Sequence, residues 1–167
     1  MIPLAFFAIA VQDTDGNSHI LPTNKGLECY IFVLPECPIA NAYAPEIKRI
    51  AGEYKGKAAF YLVQVDPTLS LVAAKKHKKD YGYKMPVLLD PKQALLDLFE
   101  AKRSPEAVLL KDGHIVYQGR IDDQYAAWGE RRPKAQNLDL RNALDAIWAG
   151  EPVKVQKTEA VGCILKH

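Results

Sequence analysis

The sequence contains few cysteines and histidines, and their scarcity excludes several classes of protein. Its 167 residues include three cysteines and four histidines, and no Cys-x-x-Cys pair occurs. A structural zinc site needs Cys and His ligands paired at short spacing, and a disulfide scaffold needs many cysteines in even number. The three cysteines therefore either carry chemistry or fill space in a hydrophobic core.

The sequence also lacks an excess of charge of one sign and a long hydrophobic run. Its 22 Lys and Arg against 20 Asp and Glu give a net charge of +2, with no concentrated basic face, so we expect no nucleic-acid partner. The apolar start, MIPLAFFAIAV, is shorter than the roughly 20 residues that span a bilayer. It has no basic n-region of a signal peptide either. We interpret it as a first β-strand rather than the remnant of a signal peptide, and we expect no membrane span.

Apolar patterning predicts alternating strands and helices. The continuous apolar runs Cys29–Leu34 and Ala58–Val65 are typical of strands buried on both faces of a parallel sheet. Apolar residues at spacings of three and four predict a helix over about 38–55, with a kink at Pro45. Further elements are predicted as strands at 6–11, 19–21 and 86–89, helices at 68–80, 91–99 and 138–149, and a hairpin of strands 106–110 and 115–119 around Asp112-Gly113. This order predicts an α/β domain with a central mixed β-sheet flanked by helices, spanning residues 1–150 and followed by a C-terminal tail, 151–167, that carries Cys163.

Cys37 lies between a buried strand and the first turn of a helix, with Pro38 at the first helical position. The unpaired N–H groups and the dipole of a helix N-terminus favour a negative charge and lower the pKa of a cysteine there. A reactive thiol is therefore the favoured interpretation, and a buried structural cysteine is the alternative.

Two motifs resemble the thioredoxin-like superfamily. Cys37-Pro-Ile-Ala-Asn-Ala-Tyr-Ala-Pro45 is similar to its active-site helix, in which a proline follows the cysteine by eight residues. Ser104-Pro105-Glu-Ala-Val-Leu-Leu-Lys-Asp-Gly113 is similar to its cis-proline loop and the following hairpin. The resemblance implies that Pro105 is cis and faces the thiol, where its loop can pair with an incoming peptide strand.

Within that superfamily the chain most resembles the redoxin branch, which includes alkyl hydroperoxide reductase and thiol-specific antioxidant proteins and exported thiol–disulfide oxidoreductases. Residues 83–99 resemble the strand–helix insertion of this branch, and GRIDDQY (119–125) and TEAVGC (158–163) resemble its exported members. The resemblance implies a thioredoxin-like fold with an N-terminal strand extension, a role in cell redox homeostasis, and an exported rather than cytoplasmic location.

The chain departs from the thioredoxin pattern because Ala40 stands where those proteins have a second cysteine. Cys29 is about 25 Å from Cys37 along an extended strand, at about 3.3 Å per residue, which is too far for a disulfide. Cys29 is therefore expected to be a core residue. Cys163, on a flexible-looking tail that can extend about 40 Å, can reach Cys37. It is either a resolving partner or a surface or packed cysteine.

The leading hypothesis is a thiol–disulfide oxidoreductase in which Cys37 attacks a partner disulfide and Cys163 or an external thiol resolves the mixed disulfide. The catalytic residues are then Cys37, Pro105 and Cys163, the partners are protein thiols or disulfides or a small-molecule thiol reductant, and no cofactor or metal is expected. A peroxiredoxin-like thiol peroxidase is one alternative, although Tyr30 and Leu34 replace the Pro and Thr of its motif. A non-enzymatic binding or metallochaperone module is another.

The long segment 120–137 is either a lid or docking surface, or a surface loop whose Trp128 plugs the core edge.

Overall fold

The computed structural model describes residues 8–166, and within them one large sheet forms the centre of the molecule. Its seven strands are β1 (Ile9–Asp13), β2 (Ser18–Leu21), β3 (Leu27–Phe32), β4 (Ala59–Gln64), β5 (Val87–Leu89), β7 (Glu106–Lys111) and β8 (His114–Gly119). A short strand, β6 (Arg103–Ser104), lies outside this sheet. The predicted first strand, 6–11, begins within residues 1–7, which lie outside the described part of the chain.

Five helices are present between residues 8 and 166. They are α1 (Pro38–Ala42), α2 (Ala44–Glu53), α3 (Leu71–Tyr81), α4 (Ala94–Phe99) and α5 (Asp139–Trp148). None of these helices is long and apolar enough to cross a membrane.

The sheet is mixed, with the order β2-β1-β5-β4-β3-β7-β8. The central strands β3, β4 and β5 are parallel, and the strands on both sides, including the hairpin β7–β8, pair antiparallel. The strand–helix alternation of the sequence predicts this arrangement, because parallel neighbours need a crossover connection whereas a hairpin does not.

The central strand β3 contributes to a separate hydrophobic core on each face of the sheet, because successive side chains of a strand point to opposite faces. Cys29 and Ile31 belong to the core that contains the buried residues of α1, α2 and α5. Tyr30 and Phe32 belong to the core that contains those of α4. The predicted mixed sheet flanked by helices is confirmed.

The helix predicted over 38–55 with a kink at Pro45 is present as two helices that meet at Tyr43, so the proline interrupts the helix rather than only bending it. Pro45 lacks a backbone N–H and its ring crowds the carbonyl four residues earlier. Tyr43 consequently takes φ −81° and ψ −7°, and the chain restarts as α2 with Pro45 in its first turn.

The helix predicted over 91–99 begins three residues later in the structure, at Ala94. The buried carboxylate of Asp90 accepts hydrogen bonds from the N–H groups of Ala94, Leu95 and Leu96 at 2.9–3.0 Å. This carboxylate thus accepts the N–H groups of the first turn, which have no partner within the helix, and it fixes the start of α4 at Ala94.

The C-terminal tail is folded onto the domain, contrary to the flexible appearance of its sequence. Val153, Ala160 and Leu165 are buried, and the N–H of Leu165 donates to the carbonyl of Lys102 at 3.0 Å. Strand β11 (Cys163–Ile164) pairs antiparallel with β6. The tail therefore has a defined place next to the loop that contains Pro105.

The 120–137 segment contains a small hairpin of β9 (Tyr125–Ala127) and β10 (Glu130–Arg131). The buried Asp123 carboxylate accepts the N–H groups of residues 136 and 137 at 2.6 and 3.0 Å, which closes the base of the segment. Trp128 at its turn is 63% exposed. The alternative in which Trp128 plugs the edge of the core is therefore wrong.

Candidate functional site

Cys37 is the N-cap residue of α1. Strand β3 ends at Phe32, and a turn closed by the Cys37 N–H and the Leu34 carbonyl at 3.1 Å brings the chain to the helix. The Cys37 sulfur accepts a hydrogen bond from the Ala40 N–H at 3.5 Å. The sulfur therefore occupies the position of a side-chain cap, as the Cys37-Pro38 pair predicts.

The Ser104–Pro105 loop faces this sulfur. The Cys37 thiol donates to the Ser104 carbonyl oxygen at 3.0 Å, and the Ser104–Pro105 peptide bond is cis. The Ser104 hydroxyl accepts the Leu34 N–H at 2.8 Å. The loop is thus attached to both the turn before Cys37 and the thiol itself.

Cys163 lies against the same two groups. It stands opposite Ser104 in the antiparallel pairing of β11 and β6, and its thiol and backbone N–H are among the groups that lower the pKa of Cys37. All three cysteines are free thiols. The structure therefore brings together the three residues that the sequence analysis predicted as catalytic, which are Cys37, Pro105 and Cys163.

Gly162 permits this approach. A Cβ added to it would overlap the Ser104 carbonyl oxygen and would lie 2.6 Å from the carbonyl carbon and 3.2 Å from the nitrogen of Pro105. Since carbon atoms pack at about 3.5–4.0 Å, a side chain at residue 162 is incompatible with the observed docking of Cys163.

The two neighbouring thiols have opposite pKa shifts. Burial opposes ionisation of Cys37, but hydrogen bonds from the Cys163 thiol, the N–H groups of Ala40 and Cys163, and Ser104 outweigh it and lower its pKa. Burial, together with the hydrogen bond and charge of Cys37, raises the pKa of Cys163 to about 12. Cys37 is therefore the more acidic thiol of the pair and Cys163 the less acidic one.

Two residues close to Cys37 in the sequence, Glu36 and Cys29, contribute less to the site than their positions suggest. The side chain of Glu36 is exposed and is not among the main causes of the pKa shift of Cys37. Cys29 is fully buried in β3, where burial alone raises the pKa of its thiol. Cys29 is thus a core residue, as expected.

A buried polar network supports the turn before Cys37. His77 on α3 shares a hydrogen bond of 2.9 Å with the side-chain oxygen of Asn41, whose amide nitrogen donates to the Pro35 carbonyl at 2.8 Å. Burial lowers the pKa of His77, which favours the neutral ring. Sequence reasoning missed this residue because it lies within the lysine-rich run KKHKKD (75–80), a pattern typical of a solvated helix end.

A surface groove of about 840 Å³ lies over the tail. Its lining includes Cys163, Arg103 and Trp128. Cys37 is 1% exposed, whereas Cys163 is only partly buried. Cys163 is therefore the more exposed of the two cysteines, and it is the one that lines the groove.

The donor set around the thiols does not resemble a metal centre. Between residues 8 and 166 no group of three or more His, Cys, Asp or Glu side chains is placed to hold a metal ion. Two cysteines that meet at one serine, with backbone amides around them, are instead suited to forming and breaking a disulfide.

Comparisons with known proteins agree with this geometry. The sequence model of the AhpC/TSA family matches residues 5–124, and a search among curated proteins gave no match. An uncharacterized conserved protein from Geobacillus kaustophilus is similar in structure, with 25% identity and a TM-score of 0.82 over 96% of this chain and 88% of that chain. A hypothetical protein from Sinorhizobium meliloti has 24% identity and a TM-score of 0.80 over 95% and 90% of the two chains.

A third similar structure has a described activity. It is a secreted disulfide oxidoreductase of Mycobacterium tuberculosis, homologous to E. coli DsbE, with 16% identity and a TM-score of 0.63 over 83% of this chain and 95% of that chain. These likenesses confirm the predicted thioredoxin-like fold.

Proposed function

The chain belongs to the AhpC/TSA family, and from this premise we propose that it is a thiol–disulfide oxidoreductase with Cys37 as nucleophile and Cys163 as resolving cysteine. Its family and its thioredoxin-like structural neighbours support a general redox function. The observation that carries the finer proposal is that Cys163 pairs with Ser104 across β11 and β6 while the Cys37 thiol donates to the Ser104 carbonyl at 3.0 Å, so that both cysteines meet at the same residue.

The first step is attack on a partner disulfide by the Cys37 thiolate. One partner sulfur becomes bonded to Cys37, and the other leaves as a thiolate that takes a proton from solvent. The amides that hold the charge on Cys37 lower its pKa and raise the fraction of the nucleophilic form. Because Cys37 is almost fully buried, a protein partner reaches it only after β11 separates from β6.

The second step is attack by Cys163 on the Cys37 sulfur of the mixed disulfide. A Cys37–Cys163 disulfide forms, the second partner thiolate leaves, and the partner has gained two electrons. The raised pKa of Cys163 owes part of its shift to the hydrogen bond and charge of Cys37. Because Cys37 carries no charge in the mixed disulfide, that contribution disappears and Cys163 ionises more readily.

An activity assay tests this proposal. We expect the protein to catalyse exchange between a small peptide disulfide and dithiothreitol. Cys37→Ser is expected to abolish this exchange, whereas the buried Cys29→Ala is expected to retain it as the matched control. Full activity in Cys37→Ser would overturn the assignment of the nucleophile.

The same protein preparation distinguishes the peroxidase alternative from disulfide exchange. Tyr30 belongs to the core on the opposite face of the sheet from Cys37 and donates its hydroxyl to Glu28 at 2.9 Å, so it is not available to a peroxide at the thiol. Hydrogen peroxide consumption that depends on Cys37 and exceeds disulfide exchange would favour the peroxidase.

Two further parts of the proposal concern organisation and location. We propose that residues 1–150 act as one domain whose site is completed by the tail 151–167. An extracytoplasmic location is proposed from the secreted neighbour, and cell fractionation of the tagged full chain tests it.

A further inference from the structure

Exposure distinguishes the two cysteines of the site. Cys37 lies beneath the tail at 1% exposure, whereas Cys163 lines the groove of about 840 Å³. Thiol–disulfide exchange depends on which sulfur the attacking thiolate can reach. A small molecule entering the groove while β11 remains docked meets Cys163.

The groove is positively charged. Arg103, Arg120 and Lys166 line it, with Glu159 as its acidic lining residue. Arg120 is already paired with Asp139 at 2.7 Å. Neither Arg103 nor Lys166 forms an ion pair with a side chain between residues 8 and 166, so two cationic groups stay available to an anion.

We propose that this groove binds a small thiol carrying carboxylate groups, which reduces the Cys37–Cys163 disulfide by attacking the sulfur of Cys163. This inference rests on the function proposed above, because it needs that disulfide. The exposed Trp128 forms part of the wall and offers an apolar surface to the stem of the bound thiol.

The electrons and atoms balance over two thiols. The first thiolate bonds to the Cys163 sulfur, the Cys37–Cys163 bond breaks, and Cys37 leaves as a thiolate held by the Ala40 N–H. A second thiolate attacks the sulfur of the bound small thiol and releases a small-molecule disulfide. Cys163 leaves as a thiolate and takes a proton from solvent, so the protein gains two electrons. The low pKa of Cys37 makes it the better leaving group.

Three small thiols test the charge preference on the oxidised full-length protein. The three thiols are 3-mercaptopropionate (anionic), 2-mercaptoethanol (neutral) and cysteamine (cationic). Each rate is calculated per thiolate and divided by the rate with hydroxyethyl disulfide, which removes differences in intrinsic nucleophilicity. We expect 3-mercaptopropionate to exceed cysteamine by about tenfold at low salt, and the ratio to fall toward one at high salt.

A pair of charge variants localises the effect. In Arg103→Gln/Lys166→Gln the ratio is expected to fall below about two, since both groove cations are gone. The matched control Lys75→Gln/Lys79→Gln removes the same charge from exposed positions on α3 and is expected to keep the wild-type ratio. An equal ratio in wild type and groove variant would overturn the charge preference.

Acid quenching during the first turnover, followed by alkylation and peptide mass spectrometry, locates the attacked sulfur. We expect the small thiol on Cys163 and the alkyl group on Cys37, and the reverse pattern would overturn the inference while leaving the proposed function intact. If oxidation yields no Cys37–Cys163 disulfide, both the inference and the resolving role of Cys163 fall together.

Discussion

Replacing Gly162 with alanine is expected to release the tail from the site. The added Cβ would lie 2.6 Å from the Ser104 carbonyl carbon, about 1 Å inside an ordinary carbon–carbon contact. Because the opposing atoms are backbone, β11 must shift or separate from β6. Overpacking of this kind costs about 1–3 kcal/mol, which corresponds to an increase of about five- to 150-fold in the population with an undocked tail.

Alkylation of Cys37 measures that population, because this residue is only 1% exposed while the tail is docked. Iodoacetamide labelling, read at the Cys37 peptide by mass spectrometry, is expected to be at least five times faster in Gly162→Ala than in wild type. Gly52→Ala is the matched control, since a Cβ at that helical glycine meets no atom within 4 Å, and its labelling rate is expected to match wild type.

A second variant loosens the tail through different contacts. Thr158→Ala removes the hydroxyl that contacts the Tyr117 hydroxyl at 2.7 Å and accepts the Arg120 N–H at 3.0 Å, and it is expected to speed Cys37 labelling in the same direction. Wild-type labelling of Cys37 in both variants, with the fold intact by circular dichroism, would refute the account of the tail as a cover.

Three further predictions concern charge and hydrogen bonding. The pH profile of Cys37 alkylation is expected to have its midpoint below the ordinary thiol pKa of about 8.5, and a midpoint at or above 8.5 would contradict the stabilised thiolate. Ser104→Ala leaves the Leu34 N–H without its acceptor, so urea denaturation is expected to show a loss of about 1–3 kcal/mol, and the Cys37 midpoint is expected to rise. Because the folded-state pKa of His77 lies below its unfolded value of about 6.5, its contribution to stability is complete above pH 6.5 and declines as the pH falls toward the folded-state pKa. His77→Gln, with Asn41 still present, is expected to reduce the difference in urea midpoint between pH 8 and pH 5.5, and an unchanged difference would show that His77 does not titrate as described.

The sheet and the position of Cys37 at a helix start could be predicted because their signals are local. The apolar run at Cys29–Leu34 and the Asp112-Gly113 turn each specify a strand or hairpin from a few neighbouring residues. Cys37-Pro38 marks a helix start in the same way. The predicted membership of the redoxin branch is confirmed by the family match.

The docking of the tail could not be predicted because its signals are non-local. Strand β11 has two residues and no periodicity. Residue 162 has to be glycine because a Cβ there would overlap the carbonyl of Ser104, which lies 58 residues earlier in the chain. His77 was missed for a related reason. Its neighbours are lysines, and its burial depends on Asn41 and Gln64 from other elements.

The most direct test of the central claim is a disulfide map of the oxidised protein. The full-length chain is oxidised with hydroxyethyl disulfide, alkylated, digested without reduction and analysed by mass spectrometry. The account predicts one intramolecular crosslink between the peptides containing Cys37 and Cys163, with Cys29 left as a buried thiol. Oxidised protein in which Cys163 remains free for alkylation while Cys37 is modified alone or joined to a second chain would contradict it.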